Sequence, residues 1–300
     1  MNRVLDCCAV LSAITFTACR PEFEDDYWRI DSPRVLAVRS EPAEARPGTL
    51  LTFTAFLAGP AIASELPVWN FCTAPKPLPE NNAVSRECLG SAELVSAGLG
   101  LSIEAETPAA GCTLFGPNSA PGGFRPRDPD ISGGYYQPLR LDLAGSEPTF
   151  HLQRISCELA DAASDTAMQF GLSYVTNNNP HLSPIAASIA GRPVALTEIP
   201  VGARITLTSS WAASDAESYA YYDRAQQVLT SKREAMRVSW YTNAGRLHTQ
   251  STGRAEDDLE LTAQNHWTAP ERPGTFALWV VLRDSRGGVD FAAYTLGVQP

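Results

Sequence analysis

Cysteine, histidine and a few acidic turns are the residues of this chain that could do chemistry. Its seven cysteines are Cys7, Cys8, Cys19, Cys72, Cys88, Cys112 and Cys157. No pair has Cys-x-x-Cys spacing and no histidine stands close by, so a zinc site is not expected. His151, His181, His248 and His266 are scattered, and none forms the His-x-x-x-His pair of a zinc hydrolase. No Gly-x-Ser-x-Gly elbow presents a serine nucleophile. Lys76 and Lys232 do not follow glycine-rich runs, so nothing cradles a phosphate in the manner of a nucleotide-binding loop. The expectation is a protein that is not an enzyme and that carries no cofactor.

Two acidic turns need separate treatment. "DPDISGG" puts Asp128, Asp130 and Ser132 at alternate positions before Gly133, like the first half of a calcium loop. The twelfth position, where a bidentate Glu belongs, is Leu139. The three residues are a weak calcium candidate, and a glycine-capped acidic turn is the stronger expectation. "LRDSRGGVD" sets Asp284, Arg286 and Asp290 around a double glycine. It reads as a hairpin in which Gly287 and Gly288 supply positive φ and Asp284 caps the turn. The aromatics of "GGYY" (133–136) and "YAYY" (219–222) are expected to cover core or sheet edges before they stack on sugars.

Cys19 is the odd thiol, and its neighbourhood gives it a use. Met1-Asn2-Arg3 is a short positive start, and Val4–Ala18 is mostly apolar but too short to span a bilayer. The segment ends Phe16-Thr17-Ala18-Cys19, which resembles a bacterial lipobox: a bulky apolar residue, two small ones, then the cysteine that takes diacylglycerol. Asp6 inside the run and Phe16 in place of Leu depart from that pattern. Residues 1–18 are therefore expected to be a lipoprotein signal peptide and Cys19 the lipid attachment site, with palmitate among the acyl chains. Cys7 and Cys8 leave with the signal. Cys72, Cys88, Cys112 and Cys157 remain, an even set for two disulfides in an oxidising envelope. Three pairings are open, of which Cys72 with Cys88 closes the shortest loop.

Charge narrows the partners. The net charge of −10 offers no basic stripe for nucleic acid and no electrostatic docking on anionic lipid. Membrane contact would come through Cys19 alone. Residues 19–33, acidic and bounded by proline, are expected to be a tether. From Arg20 to Pro33 it would reach about 45 Å at ~3.3 Å per residue.

Short strands must position the rest. "RVLAVRS" (34–40), the alternating "LLTFTAFLA" (50–58) and "LPVWNFC" (66–72) open a sandwich, with Trp69 three residues before Cys72 as in an immunoglobulin-like strand. About 73–148 reads as a long, partly irregular insertion that holds two of the four lasting cysteines, Cys88 and Cys112, with a short helix inside "SRECLGSAELVSAG". "FHLQRISCELA" (150–160) and "AMQFGLSYVT" (167–176) read as strands closing the first domain, residues 34–176. Residues 177–193 are the linker candidate. In a second domain, 194–300, "ARITLTSSW", "MRVSWYT", "DLELTA", "TFALWVVLRD" and "VDFAAYTLGV" read as strands. "YYDRAQQVLTSKREA" (221–235) has helical spacing. The fold expected is all-β: two tandem immunoglobulin-like antiparallel β-sandwich domains, the first with a long disulfide-bearing insertion.

The lipobox, "PRVLAVRSEPAEARPG", "VSWYTNAG", "NHWTAP" and "LWVVLRDSRGGVDF" together resemble secreted lipoproteins of myxobacteria and related bacteria that carry immunoglobulin-like surface domains. The resemblance implies an envelope address and a non-catalytic scaffold, and it supplies no catalytic residue. Arg20 after Cys19 suggests the outer membrane, with the domains periplasmic or surface-exposed. The role implied is a structural or adhesive module that meets an envelope protein or a glycan. The alternative is a glycan- or peptide-binding component of an uptake or sensing complex.

Overall fold

The computed structural model describes residues 26–60, 66–75, 84–117, 132–159 and 162–300. The first half of the chain forms β1 (Arg34–Glu41), β2 (Glu44–Ala45), β3 (Leu50–Ala58), β4 (Val68–Cys72), β5 (Leu94–Leu99), β6 (Ser102–Glu106), a short helix α1 (Gly111–Leu114), β7 (Gly134–Asp142), β8 (Thr149–Ser156) and helix α2 (Ser164–Ser173). The second half forms β9 (Ala186–Ile189), β10 (Arg192–Pro193), β11 (Ile199–Pro200), β12 (Arg204–Ser210), β13 (Ser218–Asp223), β14 (Val228–Arg233), β15 (Met236–Thr242), β16 (Arg246–Leu247), β17 (Ser251–Arg254), β18 (Thr262–Thr268), β19 (Gly274–Asp284) and β20 (Val289–Gln299).

The two halves share one strand plan. In the first, a sheet ordered β1-β3-β6 faces a sheet ordered β2-β8-β7-β4-β5. In the second, β10-β9-β12-β18-β16 faces β11-β20-β19-β15-β17. In each half the opening strand divides between the two sheets. Its second part, β2 or β11, lies parallel to the last strand, β8 or β20, while the other named pairings are antiparallel. The result is a mostly β, multi-sheet fold broadly consistent with an immunoglobulin-like sandwich.

Alternation explains why each pair of sheets closes. Leu51 and Phe53 of β3 and Trp69 and Phe71 of β4 point inward with Leu139 and Leu141 of β7. Trp69 packs on Phe53 with ring centroids 6.3 Å apart. In the second half, Val238 and Trp240 of β15 meet Ile205, Leu207 and Trp267.

A third apolar layer joins the halves. Leu36, Ala37 and Ala58 of the first pack on Val281 and Val289 of the second, and Phe56 stacks on Phe291 at 4.3 Å. A bulge between Val35 and Ala37 lets β1 serve both sides: Val35 and Val38 face the first core, Leu36 and Ala37 face the second half. The four sheets therefore stack in series, with the β1 sheet against the β19–β20 sheet.

Several expectations are corrected. The stretch 73–148 is no irregular insertion, because it supplies β5, β6 and β7, and β7 is central, between β4 and β8. "SRECLGSAELVSAG" holds a single 3-10 turn, Arg86–Leu89, before β5 begins. Residues 167–176 are mostly helix α2, not strand. Alternate positions Met168, Phe170 and Leu172 mimic a strand face, yet Met168 and Leu172 are exposed while Phe170 is buried. Phe170 meets Tyr174 one turn on, at 4.9 Å. Residues 221–235 form most of the β13–β14 hairpin. Its turn lacks Asn-Gly and is closed by Asp223, whose carboxylate accepts the Ala225 and Gln226 N–H groups, with Gln227 at φ 56°. "DLELTA" is largely loop, and strand begins at Thr262.

Both flanking segments are docked. Residues 177–193 run through the joint between the halves and supply β9 and β10. The tether ends before Trp28, which lies in the core of the second half, and Ile30 lies in the layer between the halves. The Ile30 N–H donates to the Thr242 carbonyl at 3.0 Å, and the Thr242 N–H donates to Trp28 at 2.9 Å.

Candidate functional site

Two disulfides form: Cys72–Cys88 and Cys112–Cys157. Cys72 is at the end of β4, and its bridge pins the 3-10 turn that follows. The second bridge ties α1 to the residue after β8. Neither crosses between facing sheets beneath Trp69. Cys19, Asp128 and Asp130 lie outside the described residues. Ser132 is buried, and its hydroxyl accepts from Arg154 Nη2 at 2.9 Å. That oxygen is therefore turned to a guanidinium.

The densest polar constellation sits at the joint of the two halves. Glu44 enters it from β2, because the parallel register sets Glu44 opposite Arg154 of β8. Arg154 Nε lies 3.2 Å from Glu44 Oε2. The same carboxylate accepts the Tyr174 hydroxyl at 2.8 Å, the Ser156 hydroxyl at 2.8 Å and the Asn177 N–H at 3.0 Å. Burial pushes the Glu44 pKa up, but Arg154 and these donors outweigh it and hold the group below its usual range. Burial also pushes the Tyr174 hydroxyl up to about 12, so it remains a donor.

Arg286 enters from the opposite side. Its turn is built as expected in one respect: Asp284 Oδ1 accepts the N–H groups of Arg286, Gly287 and Gly288 at 2.7–2.9 Å. Only Gly287 of the two glycines has positive φ, at 109°. Gly288 is required for a different reason: a Cβ there would strike the Asp284 carboxylate and the Asn178 carbonyl. From this turn Arg286 sends Nε to Glu234 at 2.6 Å, Nη2 to Glu217 at 2.7 Å and Nη1 to the Val175 carbonyl at 2.6 Å. Its guanidinium also lies 4.5 Å from the centre of the Tyr219 ring. Arg154 and Arg286 each expose only 1% of their surface.

Three consecutive asparagines complete the joint. Asn177 Nδ2 reaches Asp284 at 3.4 Å, Asn178 Nδ2 reaches Glu217 at 2.6 Å, and Asn179 Nδ2 reaches the Ser40 carbonyl at 2.7 Å. The group holds Glu44, Glu217, Glu234 and Asp284 against Arg154 and Arg286. Four carboxylates against two guanidinia leave two negative charges when all are ionised. Burial and the Asp284 charge push Glu234 up to about 7, so the joint takes up a proton near neutrality.

The chemistry of this arrangement is cohesion. Its carboxylates are engaged by donors on the chain, its serines Ser156 and Ser132 are bonded to Glu44 and Arg154, and among the described residues no histidine is bonded to the group. Among the described residues no group of three His, Cys, Asp or Glu side chains is placed to hold a metal ion. The four histidines stay apart from the joint. His151 is half-buried beside Phe53, and desolvation, aided by the Arg283 charge, pushes it down to about 4. His181 bonds Asp215 at the surface at 3.2 Å. His248 and His266 are neighbours on the outer face of the β12–β18–β16 sheet. Tyr135 and Tyr222 are buried, and Tyr136 and Tyr219 belong to the joint, so the two aromatic runs form no common platform.

No family model and no curated protein matches this chain. Similar solved structures include a member of glycosyl hydrolase family 2 from Bacteroides cellulosilyticus, at 10% identity and a TM-score of 0.23, with 85% of this chain and 23% of that one covered. They also include the tandem Ig repeats of Dlar, at 10% identity and a TM-score of 0.24, with 90% of this chain and 98% of that one covered. At these scores neither likeness carries an argument. The architecture stands on its own strand order.

Sequence reasoning singled out Arg286 and Asp284 but missed Glu44, Arg154, Tyr174 and Glu234. Only "NNN" at 177–179 was a visible signal, as a run of residues able to bond backbone from either end. Glu44 meets Tyr174 across 130 residues of chain, and Arg286 meets Glu234 across 52.

Proposed function

We propose that this chain is a lipid-anchored, non-catalytic module of the outer membrane, built of two tandem immunoglobulin-like units locked into one rigid body. Its role in this reading is structural or adhesive. The observation that carries it is the joint: a stacked apolar layer sealed by a buried network around Glu44, Arg154 and Arg286. Two units meant to bend independently would meet through a smaller, wetter contact. A rigid body suits a spacer or contact surface, which must hold its faces at fixed angles.

The docked N-terminus supports the anchored posture. With Trp28 held in the second half, residues 20–25 are what separates Cys19 from the folded body. Six residues span at most about 20 Å at ~3.3 Å each, half the reach expected from sequence. A lipid at Cys19 would hold the end of the molecule carrying Trp28 and Thr242 close to the bilayer.

The test is fractionation of native cells with mass spectrometry of the N-terminal peptide. The wild-type chain should sediment with outer membranes and carry a diacylglyceryl group on Cys19. Cys19→Ala should appear in the soluble fraction with unchanged thermal stability. A Cys19→Ala chain that stays with the membranes would overturn the anchor.

A further inference from the structure

The outer face of the β12–β18–β16 sheet carries a cationic row that the joint does not use. Both Arg204 of β12 and Arg246 of β16 sit in register with Thr268 of the strand between them. All three are exposed. One step along, His266 lies between Thr206 and His248. The His266 ring bonds the Thr206 hydroxyl at 3.2 Å, and its centroid is 6.1 Å from that of His248. Alternation fixes this arrangement, because Ile205, Trp267 and Leu247 point into the core and thereby turn their neighbours outward. The side chains rim a depression of about 330 Å³.

Two features make this more than background charge. The chain carries a net −10, and several arginines elsewhere are neutralised, Arg39 by Asp290, Arg140 by Asp142 and Arg254 by Asp258. The side chains of Arg204 and Arg246 have neither an ion pair nor a hydrogen bond among the described residues. They also flank a hydroxyl. Strands two places apart lie about 10 Å from each other, a span across which two long side chains can close on one group. A tetrahedral oxyanion accepts a two-pronged bond from each guanidinium and a further bond from a hydroxyl.

We propose that Arg204, Arg246 and Thr268, with His266 and His248 beside them, form a binding site for a phosphate group. The phosphate sits above Thr268 between the two guanidinia. It comes either as a free or soluble phosphate or on a lipid headgroup. This inference does not depend on the lipid anchor.

The test uses the full chain with Cys19→Ala, which carries no lipid at that position. Inorganic phosphate is titrated at constant ionic strength against a chloride control while the imidazole NMR signals are followed. The expected result is a saturable shift of His248 and His266, with His151 and His181 unmoved. Arg204→Gln combined with Arg246→Gln should weaken binding at least tenfold with the backbone spectrum otherwise preserved. If that double variant does not fold, Arg246→Gln alone must still lower the affinity. A shift that never saturates, or equal affinity in the variants, overturns the proposal. Vesicles of phosphatidylcholine with and without phosphatidic acid separate the sources. Association that needs phosphatidic acid and both arginines assigns a lipid-borne phosphate. Saturable binding of inorganic phosphate without vesicle association assigns a soluble one.

Discussion

Arg286 and Glu234 meet at 2.6 Å, both buried, and neither has water to fall back on. Arg286 leaves the β19–β20 turn and Glu234 follows β14, so their contact closes the hairpin onto the second sandwich. The same guanidinium reaches Val175 from the connecting segment. One side chain therefore ties three separate stretches of chain.

Removing Arg286 strands Glu234 and Glu217. Breaking a buried pair from one side costs about 3–5 kcal/mol, because the remaining charge keeps its desolvation penalty. Arg286→Met should lower stability by that order in denaturant titration. Adding Glu234→Gln should recover part of the loss, since the stranded charge is then gone. Additive losses in that double-mutant cycle would show that the two residues do not act as a pair.

The same network sets a pH dependence with two sides. The folded pKa of Glu234, about 7, is above its ordinary 4.5, so the folded state binds the proton more tightly. Its contribution is fully present below about pH 4.5 and is lost as pH rises through about 7. His151 works in the opposite direction: its folded value, about 4, lies below 6.5, so the unfolded chain binds the proton first. Its protonation erodes stability as pH falls from about 6.5 towards 4, and the lowered Glu44 adds to that loss at lower pH. Stability measured from pH 4 to 9 should show a shallow maximum at about pH 5–6.5, where the two opposing slopes overlap. Glu234→Gln should remove the alkaline slope, and His151→Gln should blunt the acid one.

Legibility in the sequence followed the range of the physics. Strands set by alternation were readable: β3 spans Leu50–Ala58 as its pattern required, and β19 and β20 fell within a residue of their apolar runs. Where two periods fit the same residues, the choice lay in tertiary burial, as for Phe170 and Tyr174 in α2. The joint was not readable because no local rule pairs Glu44 with Arg154 or Arg286 with Glu234. Each is a surface-type residue in its own segment and becomes buried only when remote segments stack. Arg204 and Arg246 were equally silent, since their common neighbour Thr268 is fixed by register alone.

Two glycine-to-alanine changes should differ in sign. At Gly134 an added Cβ would meet the Arg154 guanidinium, which Glu44 and Ser132 hold in place. Gly134→Ala should cost about 1–3 kcal/mol as an overpacked site. At Gly171, inside α2, a Cβ meets nothing within 4 Å. Gly171→Ala should stabilise the chain by about 0.5–1 kcal/mol through helix propensity. Thermal melts of the two variants beside the wild type decide it.

The two disulfides should differ modestly in weight. Their sequence separations are 16 and 45 residues. Loop-closure entropy then favours the Cys112–Cys157 bridge by about 1 kcal/mol. Replacing either pair with serine should cost about 2–4 kcal/mol, with the larger loss for Cys112 and Cys157. Unfolding in guanidinium of the two double variants ranks them, and a reversed order would point to strain or residual unfolded structure in place of chain entropy.

Trp28 tests whether the N-terminal segment is a tether or a part of the fold. It lies before β1 of the first half, yet it fills the core of the second, while Arg29 and Ile30 run alongside Thr242. The chain thus enters through its C-terminal half and straps the two together. Trp28→Ala should cost about 3–5 kcal/mol, the range for emptying a large aromatic from a core. Thr242→Val keeps the strap's backbone bonds but removes the hydroxyl that donates to Ala244 and Ala277, and should cost only about 1 kcal/mol. Hydrogen exchange should show the Ile30 amide opening with the second half in the wild type and exchanging freely in Trp28→Ala. A Trp28→Ala chain of unchanged stability would return residues 26–33 to the role of a spacer and restore the longer reach from Cys19.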